Sequence, residues 1–543
     1  MQCPMDAKNS EASAAIEIQN IVTKTISDSS SSSPPASSDR SPRHCYGNEA
    51  TEQPPLTANP SILLHVLSSY GLEPKDLAAL EATCKFFRNP ANFMPDPALP
   101  LPEVAAFDTC GQKAMFKLMK DQEKERLKQR CGGSWKLVLG YLLIGEKNYR
   151  REKPQVIAGP GHSIAVTAKG DVYSFGSNNS GQLGLGNTED QSKPCIIKSL
   201  QGIRIIQAAV GSRRTMLVSD TGSVYTFGQD IFGGLVYDAT ADVNYTSSPK
   251  LVESLKDIFV VQASIGGYFS AVLTREGQVY TFSWGRDKRL GHESDVTDVE
   301  PRLISGPLED VLVVQIAAGN CYLLILAYQP TGMSIYSVGC GLGGKLGHGS
   351  RITEGIPRSI EHFQQQGIKP LSISAGAFHA SVLASDGRVF TWGWSNYGCL
   401  GHGGVEECIT LPTAVEGLAG VKAVHVSAGD YTTFVVADNG DVYSFGWGTS
   451  FNLGVQGEGA ENADVPTPKL VTSLDMLDEK VAQISATNTW DWPNGDVQAH
   501  TFVLTESGKL YSFGGGRKGQ LGVKLAAGEE TMQSPARVAI DLI

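Results

Sequence analysis

Two features of this 543-residue chain invite a chemical reading. The first is Gly339-Cys340-Gly341-Leu342-Gly343-Gly344-Lys345, which satisfies both G-x-G-x-x-G and G-x-x-x-x-G-K. A phosphate loop also needs Ser or Thr after its lysine, to reach the metal, and a helix whose N-terminus faces the phosphate. Leu346 follows Lys345, and the segment is one copy of a turn that recurs along the chain, so no nucleotide is expected there. The second feature is histidine. His162, His379 and His500 share one repeat column, and His292, His348 and His402 share another. Metal binding or base catalysis needs side chains that converge on one point, whereas a repeat column spreads them around a ring. Structural hydrogen bonding is the expected role. The sequence contains no HExxH, no EF-hand loop and no clustered Cys/His ligands, and no triad or carboxylate pair is assembled in it. We therefore expect a non-enzymatic protein without cofactor or metal.

Binding chemistry is better represented. A recurrent turn glycine is followed by Arg213, Gly267-Tyr268, Ala377-Phe378 and Asp430-Tyr431. A polar insertion between Ala486 and His500 carries Trp490 and Trp492. Aromatic residues and arginine dominate interface hot spots. Arg213, Tyr268, Phe378, Tyr431, Trp490 and Trp492 are expected to line one mouth and hold a protein partner.

The elements that must position these residues repeat with a period near 54. The unit apolar–aromatic–Ser/Thr–apolar or aromatic–Gly begins as Val172-Tyr173-Ser174-Phe175-Gly176 and recurs at Val224, Val279, Ile335, Val389, Val442 and Leu510. A glycine turn precedes each copy, and Leu-Gly follows most of them, as at Leu183-Gly184 and Leu400-Gly401. Such periods mean stacked or radial units, because one unit cannot bury its own apolar faces. Short strands apolar on both faces, bounded by glycine turns, predict an all-β seven-bladed β-propeller over 154–543. Of the 60 glycines, all but seven lie there. The Ser/Thr column fits a tight spot between blades, where a hydroxyl bonds backbone. Ala536–Ile540 is expected to close the ring by completing blade one, and a proline such as Pro194, Pro249 or Pro301 to open each next unit. The stretch 311–328 reads as two strands around a turn, and no membrane contact is expected.

Before the propeller, 1–56 is a Ser/Pro-rich tail expected to be disordered. Residues 57–153 read as a small α-helical region: Pro60 and Pro74 open helices, Pro95–Pro102 is a crossover, and an amphipathic stretch covers Lys113–Arg130. The charge of −11 divides as −3, +4 and −12 over tail, helical part and propeller. An acidic propeller disfavours DNA and favours a partner with a basic face. The ten cysteines include no CxxC pair, which points to reduced thiols and an intracellular protein, cytoplasmic or nuclear.

The pattern Ala-Gly-x-x-His-Ser, Gly-x-Val-Tyr-Ser-Phe-Gly, Gly-Gln-Leu-Gly, best seen across Ala158–Gly184, resembles the regulator of chromosome condensation family. The resemblance implies a seven-bladed propeller but no single function, since its members include a Ran guanine-nucleotide exchange factor, a plant UV-B photoreceptor and interaction scaffolds. The light-sensing members carry Gly-Trp-Arg-His-Thr turns. Here Pro160, Ser212, Gly267, Asn320, Ala377 and Asp430 follow the turn glycine, and Trp284, Trp392 and Trp447 are expected in the core. UV-B sensing is therefore not expected. Separately, Asn59–Arg88 resembles an F-box through Pro60, Ile62, Leu63, Leu64, Val66, Leu67, Pro74–Leu77 and Cys84–Phe87. That resemblance implies a Skp-type adaptor and a cullin ubiquitin ligase, with Ile62, Leu63, Leu67 and Leu77 facing the adaptor; 57–95 would be the F-box-like segment and 96–153 a linker or cap. The leading reading is a non-enzymatic protein-interaction scaffold or regulatory propeller, to which the F-box resemblance would add substrate recruitment for a cullin-type ubiquitin ligase; the alternative is an exchange factor for a Ran-like GTPase.

Overall fold

The structure, a computed structural model, describes residues 67, 72–83, 100–149, 153–229, 245–404, 407–455, 463–491 and 496–543. These form two compact units that divide after Leu143. The 1–56 tail, Ile62, Leu63, the Cys84–Phe87 part of the F-box resemblance and Trp492 lie outside the described residues.

The first unit is helical. Its elements are α1 (Pro74–Thr83), α2 (Leu101–Gln112), α3 (Ala114–Lys117) and α4 (Asp121–Arg130), followed by α5 (Trp135–Tyr149), which runs past the division. The Lys113–Arg130 stretch is two helices and not one. The chain breaks after Lys117 and restarts where the Glu123 carboxylate accepts the Lys120 N–H at 2.7 Å, an N-terminal cap that favours a new start. The proline-rich crossover ends sooner than expected, because Pro102 fits the first turn of α2, where its missing N–H costs no hydrogen bond. Glu103 caps α5, accepting from Ser134 Oγ at 2.7 Å and from the Trp135 N–H at 2.5 Å. Trp135 packs on Phe107 and Phe116, with centroids 4.7 and 5.9 Å away.

The second unit holds seven four-stranded antiparallel sheets, each a simple meander in chain order. In blade one these are β1 (Gln155–Ala158), β2 (His162–Val166), β3 (Val172–Gly176) and β4 (Gln191–Ile196), numbered onward to β28 (Thr531–Asp541). The second strand is buried along its whole length, and the fourth is half-buried to exposed, with no residue fully buried. This gradient follows from the sequence. His-Ser-Ile-Ala-Val offers apolar or small groups to both neighbouring blades, whereas Gln-Ser-Lys-Pro-Cys-Ile faces water. Residues 311–328 form the strand pair Leu312–Ala318 and Tyr322–Gln329. No helix among the described residues is long and apolar enough to cross a membrane.

Two expectations change. The recurrent proline does not open the next unit but lies inside the outer strand of its own blade, as Pro194, Pro249, Pro301, Pro357 and Pro412 do. Proline removes a backbone donor, so an edge strand tolerates it and is protected from pairing with another chain. Blade one therefore owns its outer strand, and β28 is the outer strand of blade seven. Ring closure is made by packing and hydrogen bonds between blades seven and one. The Ala158 N–H donates to Ser485 Oγ at 3.0 Å, Gln483 Nε2 to the Val156 carbonyl at 3.1 Å, and the Ala168 N–H to the Leu542 carbonyl at 2.7 Å.

A candidate partner-binding face of the ring

In each blade the loop between the first two strands and the loop after the third open on the same end of the ring. At that end, the residue just before the second strand stands opposite the residue just after the glycine or serine at or next to the end of the third. The backbone bond between them recurs, from the Trp394 N–H to the Phe378 carbonyl (3.0 Å) and from the Trp447 N–H to the Tyr431 carbonyl (2.9 Å). Arg213, Tyr268, Phe378 and Tyr431 all occupy the first of these positions. Trp490 lies in the Val481–Asp491 strand of blade seven.

The cross-strand partners were not foreseen. Tyr268 meets Trp284 edge-on (5.1 Å), Phe378 meets Trp394 (5.4 Å), and Tyr431 meets Trp447 (5.7 Å). Tyr397 joins two blades, stacking on Trp447 at 5.0 Å and lying 5.6 Å from Tyr431, which in turn is 5.3 Å from Phe378. Cations extend the arc. Arg289 lies over Trp284 (4.9 Å) and Tyr268 (5.7 Å), Arg286 over Trp284 (5.8 Å), and Lys345 over Phe378 (5.8 Å). Tyr268 and Tyr397 are each 44% exposed. Trp392 is fully buried as expected, but Trp284 and Trp447 are only half-buried. These two follow the residue that ends the third strand, so they leave the blade interior and turn onto the rim. Seven of the eight described non-glycine residues at positive φ lie in the same loops of blades three, five and six: Ser283, Asp287, Lys288, Glu293, Tyr397, Ser450 and Phe451. Such backbone costs energy and concentrates where a loop must hold a set geometry.

Comparison with known proteins places this ring. The RCC1-like domain model matches residues 109–489. The chain belongs to the RCC1-like domain family. It is 30% identical to the ultraviolet-B receptor UVR8 of Arabidopsis thaliana over 68% of this chain and 78% of that one. It is 33% identical to the human E3 ubiquitin-protein ligase HERC2 over 59% of this chain, but spans only 6% of HERC2. Among solved structures, Prp20p of Saccharomyces cerevisiae shares the fold, with a TM-score of 0.58 and 21% identity over 73% of this chain and 89% of that one.

Within this RCC1-like ring the recurrent polar residues join blades. The Ser/Thr column donates to the carbonyl of the Leu-Gly leucine nine residues on, as from Ser174 to Leu183 (2.7 Å), Ser337 to Leu346 (2.7 Å) and Thr391 to Leu400 (2.7 Å). That loop then wedges against the aromatic side chain of the next blade. His379 Nε2 lies 2.8 Å from Thr433 Oγ1, and this hydroxyl donates to the Cys399 carbonyl at 2.9 Å. The hydroxyl proton is thus committed, so the histidine carries its proton on Nε2 and donates. His162 with Thr215, and His500 with Ser163, repeat the arrangement. Burial pushes the His162, His379 and His500 imidazoles down to about 3, about 4 and about 3, so all three are neutral in the fold. His348 and His402 bond the hydroxyls of Ser337 and Thr391. In the phosphate-loop lookalike, Lys345 is buried and donates to the Leu342 carbonyl at 3.1 Å, tying down its own turn.

The innermost strands enclose a central channel of about 440 Å³. A glutamine from most blades reaches across it to the next: Gln207 to the Ala263 carbonyl (3.1 Å), Gln262 to Ile316 (3.1 Å) and Gln315 to Ile373 (2.9 Å). The Gln155, Gln207, Gln262, Gln315, Gln483 column is visible in the sequence and was missed. In the helical unit Leu67 and Leu77 are 3% and 1% exposed, so both side chains are buried there.

Proposed function

We propose that the ring is a protein-interaction module that holds its partner on the aromatic arc of blades three to six. The observation that carries this is the half-exposed set of Tyr268, Trp284, Trp394, Tyr397, Tyr431 and Trp447, beside strained backbone in the loops that follow the third strands. Large rigid rings lose little conformational entropy on binding, and their faces attract cations. A net charge of −12 over the propeller adds long-range attraction for a basic face. Trp490 and Trp492 would extend the arc into blade seven, and Arg213 into blade two. The helical unit would recruit further machinery. The F-box resemblance supports a Skp-type adaptor, and the likeness to a protein named as an E3 ubiquitin-protein ligase supports a ubiquitin setting.

The test is affinity purification of the full chain beside a Tyr397→Ala/Trp447→Ala variant and a Trp490→Ala/Trp492→Ala variant. A partner lost at least about tenfold by an arc variant that keeps the wild-type melting temperature supports the reading. Equal recovery from all three chains removes the arc from the binding face. Titration with a Skp-type adaptor tests the ligase part, and no binding at micromolar concentration leaves the scaffold alone. Accelerated nucleotide release from a Ran-like GTPase at catalytic concentrations would replace the scaffold by an exchange factor.

A further inference from the structure

Blade four breaks the arc. Where blades three, five and six place an aromatic pair across the end of the strand ladder, blade four places Cys321 opposite Cys340. The register Tyr322↔Gly339 puts the two cysteines directly across from each other, and the Cys340 N–H donates to the Cys321 carbonyl at 2.9 Å. Facing residues of an antiparallel ladder have Cβ atoms about 4.5–5.5 Å apart, close to what a disulfide spans. Cys321 is half-buried at the mouth, and Cys340 is 4% exposed beneath it.

Two buried cations flank the pair. Lys345 is 2% exposed and Arg289 3% exposed. Arg289 donates Nη2 to Asp287 at 2.7 Å, while its buried Nη1 has no hydrogen-bond partner among the described residues. The facing Cys321 thiol, then the Lys345 charge, hold the Cys340 thiol below the ordinary thiol range. In the helical unit the contrast is clear: Cys110 and Cys131 are also buried, and burial pushes both thiols up. A thiol beside cations and a second thiol is the reactive kind, and a thiol buried among apolar groups is inert.

We propose that Cys321 and Cys340 form a redox-active dithiol on the mouth of the ring, oxidised reversibly to a disulfide by peroxides. The Cys340 thiolate attacks one peroxide oxygen, the O–O bond breaks, and the leaving hydroxide takes a proton to become water. The Cys340 sulfenic acid is then attacked by the Cys321 sulfur. The S–S bond forms, the S–O bond breaks, and the Cys321 proton leaves with the oxygen as a second water. Two thiols have lost two electrons to one peroxide, and a thiol reductant reverses the change. Oxidation removes the thiolate charge beside Arg289 and Lys345, so the mouth becomes more positive.

The test uses the wild-type full chain. No Lys or Arg lies between Arg302 and Lys345, so trypsin leaves both cysteines on one peptide. After mild treatment of the folded protein with hydrogen peroxide, that peptide should be about 2 Da lighter and resist alkylation at both positions until dithiothreitol is added. Cys195 and Cys408, half-buried single thiols, should be lost to oxidation about tenfold more slowly. In Cys321→Ser, Cys340 should instead stop at a sulfenic acid that a 1,3-dione reagent traps. Full alkylation of both cysteines after peroxide, or oxidation to sulfonic acid without a bridge in the wild type, overturns the proposal.

Discussion

A buried histidine that donates to a hydroxyl makes the fold sensitive to acid. The ordinary imidazole value is 6.5, while His162, His379 and His500 stay neutral in the ring down to about 3, about 4 and about 3. Below pH 6.5 the unfolded chain takes up protons that the native chain refuses. Stability is therefore complete above that value and falls as the pH drops towards 4, by up to about 1.4 kcal/mol per histidine per pH unit. The melting temperature should be level from pH 8 to 7 and decline between pH 6.5 and 5. His379→Gln, which keeps an N–H able to reach Thr433, should make that decline shallower; an unchanged slope would assign it to other groups. The repeat column alone points to a structural role for His162, His379 and His500, because a column on a ring does not converge. Their partners were not legible, since Thr433 and Thr215 stand 54 and 53 residues away from them.

At the scale of the element, the glycine punctuation divides into positions of different cost. Gly401 has φ +77°, and an added Cβ would lie 2.8 Å from the Phe445 ring of the next blade. Gly420 has φ +84°, and nothing lies within 4 Å of its Cβ position. Gly420→Ala should cost about 1 kcal/mol from backbone strain. Gly401→Ala adds a clash in the wedge between blades and should cost about 2–4 kcal/mol. Urea unfolding midpoints would rank the two, and equal losses would show that the wedge is soft. The third strands were easy to find because both faces are apolar. The blade to which each fourth strand belongs is not legible in the sequence, because these strands are solvated, carry proline and follow long loops. Their assignment depends on backbone pairing that no local pattern announces.

The whole ring stands or falls on closure between blades seven and one. Val538 and Leu542 are fully buried and Ile540 is 6% exposed, all in a core shared with Val156 and Phe175 of blade one. A chain ending at residue 535 should lose cooperativity and melt several degrees lower, as a broad transition. A sharp, unshifted melt would mean that the last strand is peripheral. The aromatic arc bears on a second property of the assembly. Trp284 and Trp447 are rim residues, so one reason for not expecting UV-B sensing is gone. The other remains, since no residue directly after a turn glycine is tryptophan. Gel filtration before and after UV-B irradiation should give one unchanged elution volume. A shift would make the arc a chromophore.

The sequence alone determined the number of blades, the third strand of each and the family. These are local, and a seven-fold repetition shows each of them seven times. It also indicated which residues follow the turn glycines, hence Tyr268, Phe378 and Tyr431. The tertiary structure decided what those residues meet. Trp284, Trp394 and Trp447 are brought opposite them by antiparallel pairing, Tyr397 reaches the neighbouring blade, and Cys321 faces Cys340 across a single hairpin. A residue's type and its place in the repeat are local properties. Its exposure, its strain and its cross-strand neighbour exist only once the ladders have formed and the ring has closed.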